Sequence, residues 1–126
     1  FEGAIGVVAN APTSNETIKA VRKTIDIPIV ITVVSEKTDI QSRLDAGANI
    51  INVSGAAKTA KIVRQIREEF PEVPIIATGG PREETIIETI EAGANAITYT
   101  PPTPAELFKI SMERYRQELA DIPVIE

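Results

Sequence analysis

The side chains best placed for chemistry are carboxylates, amides and hydroxyls, because this 126-residue chain contains neither cysteine nor histidine. Disulfides, thiolate nucleophiles, Ser–His and Cys–His pairs, the usual base near neutral pH and the commonest zinc ligand are thereby excluded. Glu36 and Asp39 follow an apolar run closely enough to hold a cation or to act as acid and base. The same positions also suit acidic residues near the start of a helix, where its dipole favours them, and that account is the simpler one. Lys37 and Lys58 fall in loops just after apolar runs. A Schiff-base lysine has its pKa lowered, as desolvation does, and loop positions do not supply that, so both read as solvated side chains. The run Arg64, Arg67, Glu68, Glu69 reads as a solvated helix face with compensating charges. No metal site is assigned, and no cluster names a reaction.

What remains is a set of small and neutral groups at the ends of apolar runs, and elements must exist to position them. The fragment Ile27-Pro28-Ile29-Val30-Ile31-Thr32, then Ala46-Gly47-Ala48-Asn49, returns as Val73-Pro74-Ile75-Ile76-Ala77-Thr78, then Ala92-Gly93-Ala94-Asn95. Both pairs are offset by 46 residues (73 − 27 and 92 − 46). A constant offset of this kind means one βαβα unit used twice, over about 27–72 and 73–118, within a single α/β domain of residues 1–126.

Apolar runs at 4–9, 29–34, 50–53, 75–78 and 96–100 read as buried strands bounded by Pro, Gly, Asn or Ser. Between them the apolar spacing is three to four: Ile18 and Val21; Ile62, Val63, Ile66 and Phe70; Ile86, Ile87 and Ile90; Leu107, Phe108, Ser111, Met112 and Tyr115. Each of these helices is expected to bury one face. Thr13-Ser14-Asn15-Glu16 and Thr103-Pro104-Ala105-Glu106 fit capping boxes, and Gly47 and Gly93 sit where a helix needs a left-handed end. The tail at 121–126 resembles the start of a Pro-led strand, either a sixth strand begun or a segment that docks on the sheet.

Alternation of strand and helix with short connections demands parallel strands, and two architectures fit: part of a TIM barrel, or a flavodoxin-like open sheet. Strand faces favour the first. One set of alternate residues, Ile31, Val33, Ile51, Val53, Ile75, Ala77, Ile97 and Tyr99, is apolar. The other set turns polar towards the strand ends, through Thr32, Asn52, Ser54, Thr78, Gly80, Thr98 and Thr100. A sheet covered on both sides should be apolar on both, whereas a barrel interior carries polar groups at its C-terminal rim. A whole barrel takes about 250 residues. A (βα)5 chain of half that length is therefore a partial barrel, a half barrel that pairs with another copy, or an open sheet after all.

The stretch 27–99 resembles the phosphate-binding TIM barrels, and most closely those of the IMP dehydrogenase and nitronate monooxygenase type. The residues that carry this are the Pro-led strand, Leu44-Asp45-Ala46-Gly47-Ala48-Asn49, Val53-Ser54-Gly55, Ala77-Thr78-Gly79-Gly80 and Glu91-Ala92-Gly93-Ala94-Asn95. The resemblance implies that Gly79 and Gly80, with Ser54 and Gly55 as the equivalent earlier turn, hold the phosphate of a nucleotide or of FMN. The chain departs from that pattern at Pro81, Pro101, Pro102 and Pro104, which lack an N–H, and in having neither the Cys nor the His those enzymes use.

The expected site is the C-terminal strand ends: Asn10, Glu36, Asn52, Ser54, Gly55, Thr78, Gly79, Gly80, Thr98 and Thr100. The expected function is to bind a small ligand there, phosphorylated or of flavin or nucleotide type. The alternative is a self-associating half-barrel scaffold, a homodimer that binds nothing. Thirteen basic against eighteen acidic residues (net −5) and five aromatics argue against nucleic acid. No run is long enough to cross a bilayer, and the absence of cysteine suits the cytoplasm. Phe1, with an apolar run following almost at once, reads as the start of a processed or truncated piece.

Overall fold

A computed structural model of the chain describes residues 3–78, 83–98 and 103–121. Strands β1 (Val7–Ala9), β2 (Ile29–Val33), β3 (Ile50–Val53), β4 (Ile75–Thr78) and β5 (Ala96–Thr98) form one parallel sheet in the order β1-β2-β3-β4-β5. They alternate with helices α1 (Asn15–Thr24), α2 (Ile40–Ala46), α3 (Thr59–Glu69), α4 (Glu83–Ala92) and α5 (Pro104–Ala120). The chain is thus an α/β protein built as a (βα)5 repeat. Its sheet is open at β1 and β5, but the strand order never reverses as it does in the flavodoxin order 2-1-3-4-5. Strands added always on the same side by right-handed crossovers leave every crossover helix on one face.

Burial shows which face that is. Ile31, Val33, Ile51, Val53, Ile75 and Ala77 are at most 1% exposed and form the core with Ile18, Ile62, Val63 and Ile66 from the helices. Their strand neighbours Thr32, Ile50, Asn52, Ile76 and Thr78 are only half-buried. The apolar and polar faces are those expected from the alternation.

The register carries a further regularity. Thr32 lies level with Asn52 and Asn52 with Ile76, although the sequence repeat equates Thr32 with Thr78 (32 + 46). Likewise Ile76 is level with Ala96, placing Asn52 in the row of Ala96, while its repeat equivalent is Thr98 (52 + 46). Every two strands shift the sequence by two residues, or one residue per strand.

At the opposite, N-terminal end of the sheet the repeat becomes a pair of matching latches. Arg22 donates to Asn49 Oδ1 (2.6 Å) and to the carbonyls of Ile25 and Ile27 (2.7 and 2.9 Å), while Asn49 Oδ1 also accepts from Ile29 N (3.0 Å). One repeat later, Arg67 donates to Asn95 Oδ1 (2.7 Å) and to the carbonyls of Phe70, Pro71, Val73 and Gly93, and Asn95 Oδ1 accepts from Ile75 N (2.9 Å). Gly47 and Gly93 have φ of 124° and 117°, and a Cβ on either would lie within 3 Å of the stem of Arg22 or Arg67. The Ala-Gly-Ala-Asn turn therefore needs its glycine twice over, for backbone conformation and for the arginine that lies across it.

Some local expectations shift. The first capping box is not formed: Ser14 is the N-cap of α1, accepting from Thr17 N, because Thr13 belongs to a turn closed by its N–H on Asn10 O. The second box is formed in full at Thr103 and Glu106. β1 covers only Val7–Ala9 of the expected run, its ladder beginning with Val7 N on Pro28 O. In α4 the buried residues are Thr89 and Ala92, while Ile87 and Ile90 are exposed. The expected apolar face of α5 is bare, with Phe108 69% and Tyr115 55% exposed. The physical reason is position: α3 is covered by β4 and α4, whereas α5 has no strand or helix beyond it among the described residues. The tail at 122–126, with Tyr99 and Thr100, lies outside the described residues.

Candidate functional site

The open face of the sheet becomes polar towards the C-terminal strand ends. Asn52 on β3 donates through Nδ2 to Thr32 Oγ1 on β2 (3.4 Å). One level nearer the rim, the hydroxyls of Thr78 on β4 and Thr98 on β5 are 3.0 Å apart. Ser54 follows β3 at that same level, its N–H bonded to Val33 O (2.9 Å). Asn10 follows β1 directly and is exposed. The structure therefore brings Asn52, Ser54, Thr78 and Thr98 to one end of one face, with Thr32 as the partner the sequence-level site omits; its alternation with Asn52 across strands is the signal that points to it.

Asn52 Oδ1 is buried and has no hydrogen-bond partner among the described residues. Turning the amide over would not help, since Oδ1 would then accept from Thr32 and Nδ2 would be the orphan. A buried polar atom without a partner costs about 1–3 kcal/mol, so this position is unexplained by the fold alone.

The acidic candidates have other partners. Glu36 lies in the β2–α2 loop and pairs with Lys61 (3.3 Å) and Lys58 (3.8 Å) at the start of α3. Asp39 is the N-cap of α2, its carboxylate accepting from Ser42 N (3.1 Å). The two acids are thus used separately, and no cluster of three or more His, Cys, Asp or Glu able to hold a metal occurs among the described residues.

Gly55 packs closely on α3. A Cβ there would meet Ile62 Cδ1 at 2.5 Å, and its N–H donates to Thr59 Oγ1 (2.9 Å), which is 4% exposed. Ala56, the next residue, takes a left-handed φ of 51° to enter the short 3-10 turn Ala56–Lys58. Gly79, Gly80 and Thr100 lie outside the described residues.

Two clefts were not visible in the sequence. One, of about 160 Å³, lies between the start of α3 and α4 and is lined by Thr59, Thr78, Thr85, Glu88 and Thr89. The other lies between the β1–α1 loop and α2 around Arg43, whose guanidinium binds Ala11 O (2.8 Å), Thr13 O and Asn15 Oδ1 (3.1 Å). Arg43 is held by carbonyls 28 to 32 residues away in sequence, a relation that no periodicity announces.

No helix among the described residues is long and apolar enough to cross a membrane. No family model matches the chain, and no curated protein matches it either.

Proposed function

We propose that this (βα)5 unit is the ligand-binding sector of a TIM-type barrel, taking a small molecule over the polar end of its open sheet face. The observation that carries this reading is Asn52: an amide with an unpaired buried acceptor, on the only face the helices leave free among the described residues. Thr32, Thr78 and Thr98 extend it into a file of neutral donors and acceptors. Such a file suits the uncharged part of a ligand, fixing orientation through directed hydrogen bonds. The resemblance to phosphate-binding barrels supplies the other half of the reading, an anionic group of nucleotide or flavin type near Gly79 and Gly80. The chain's own contribution is binding and orientation, in the reducing cytoplasm that suits a chain without cysteine.

The test is native mass spectrometry of freshly purified protein, followed by amide chemical-shift mapping with FMN and, separately, inorganic phosphate. Saturable shifts at Thr32, Asn52, Thr78 and Thr98 with FMN, lost in Asn52→Leu while the fold survives, support the reading. No adduct, and no shift at those four residues with either probe, would reject it.

A second reading, a self-associating scaffold that binds nothing, is favoured by the exposed Ile5, Val8, Phe108 and Tyr115. It requires a homodimer by light scattering, with the melting temperature unmoved by both probes.

A further inference from the structure

We infer that the two open edges of the sheet, at β1 and β5, are an interaction surface for one kind of partner, a segment of three parallel βα units that closes the sheet into an eight-stranded barrel. The argument uses the register and does not depend on the ligand reading above.

The strands advance by one residue each, as Thr32, Asn52, Ile76 and Ala96 lie in one row while the repeat equates Thr32 with Thr78 and Asn52 with Thr98. Strand number and stagger together decide whether a sheet can close, and eight strands advancing at this rate give the shear of 8 at which a (β/α)8 barrel closes. Five strands are present among the described residues, so three complete the ring. A second copy of this chain would bring five, two more than the ring admits.

The ends of the array are shaped for continuation. In α3 the residues Thr59, Ile62, Val63 and Ile66 are buried, and Arg67 follows to latch the next unit. Helix α5 repeats that spacing as Phe108, Ser111, Met112, Tyr115 and then Arg116. On α3 this face lies beneath β4 and beside α4, an interface that continuing the array would reproduce on α5. Phe108 and Tyr115 are bare without it, and at the other end Val8 is 61% exposed. The strands also alternate between Pro-led (β2, β4) and Asn-led (β3, β5) forms, so the segment that continues the pattern is Pro-led, Asn-led, Pro-led.

The chain itself supplies a probe of that composition, since residues 27–94 contain β2, α2, β3, α3, β4 and α4. They can be placed after Asp121, because Asp121-Ile122-Pro123 repeats Asp26-Ile27-Pro28. Hydrogen exchange is then compared among the natural chain, this eight-strand chain and a six-strand chain extended by residues 27–48 alone. Val7 N bonds to β2 and Asn95 N to β4, so the N–H groups of Val8, Ala96 and Thr98 point to the free edges.

The expected result is a monomeric eight-strand chain in which Val8, Ala96 and Thr98 exchange at least about 100-fold more slowly than in the natural chain. The six-strand chain should slow Ala96 and Thr98 only. Unchanged exchange at Val8 in the eight-strand chain, or slowing of Val8 in the six-strand chain, would overturn the inference. So would a natural chain that dimerises with all three amides already protected, since a second copy would then be the occupant.

Discussion

Replacing Asn52 by leucine should make the isolated chain more stable, against the usual direction of substitutions in a sheet. Asn52 contributes one long hydrogen bond, 3.4 Å to Thr32 Oγ1, and one buried acceptor without a partner. A bond of that length sits at the weak end of the range and is worth about 0.5 kcal/mol. Removing the orphan returns about 1–3 kcal/mol. The row beside it is apolar, with Ile76 level on β4 and Val30 and Ile50 one step below. A leucine half-buried there adds about 1 kcal/mol of removed apolar surface, and the Thr32 hydroxyl, itself half-buried, retains access to water. The net is a gain of about 1.5–3.5 kcal/mol, equivalent to a rise of about 5–15 °C in Tm for a domain of this size. Urea denaturation measures it: the midpoint should rise with the slope unchanged. A midpoint lowered by the substitution would refute the reasoning, because Asn52 Oδ1 would then be satisfied in the isolated protein and could not be held open for a ligand.

Arg67→Met should cost about 2–4 kcal/mol in urea denaturation, since five acceptors lose a partly buried cation at once; the loss should be strongly non-additive with Asn95→Ala, and additive losses would break the latch account. Gly93→Ala should destabilise by at least about 1–2 kcal/mol, through its φ of 117° and a Cβ 2.9 Å from Arg67 Cγ; a neutral result in thermal melting would refute it. Glu36→Gln should change stability by less than about 1 kcal/mol, because both lysine partners are largely exposed; a larger loss that persists in high salt would show a role beyond these ion pairs.

The repeat was the most legible feature, because Pro28 and Pro74 mark strand starts through the restriction on their φ, and Gly47 and Gly93 mark helix ends through the positive φ that glycine adopts freely. Alternation placed the two sheet faces correctly for the same reason, as side-chain direction along a strand has period two whatever the tertiary context. The sites that stayed hidden depend on contacts between distant segments. Arg67 reads as a solvated charge on a helix face, yet it closes over carbonyls and an Asn 28 residues away, as Arg22 does over carbonyls and an Asn 27 residues away. Glu36 could be read as an acid beyond β2, but its pairing with Lys58 and Lys61 follows from the approach of two loops. The bare face of α5 has the other kind of cause: its periodicity is that of a buried helix, and periodicity records what a face is built to meet, not what the chain itself supplies.

Three asparagines on this sheet differ in how far the protein itself satisfies them. Asn49 and Asn95 stand at the N-terminal ends of β3 and β5, where each side-chain oxygen accepts from a strand N–H and from an arginine. They join neighbouring units and are saturated by the protein. Asn52 lies three residues beyond Asn49 on the same chain, at the other end of the same strand, with its oxygen unpaired. The difference does not come from residue type, since all three are amides. It comes from which end of a parallel strand the amide occupies. The N-terminal end is tied by turns and helix ends that repeat every unit, so an amide there finds partners within the array. The C-terminal end opens into loops that differ from unit to unit, and an amide there has partners only if something outside the array brings them. If Asn52 were structural in the sense that Asn49 is, Asn52→Leu and Asn49→Leu would shift stability in the same direction. Opposite signs in one urea series, a gain at Asn52 and a loss at Asn49, are what this division requires.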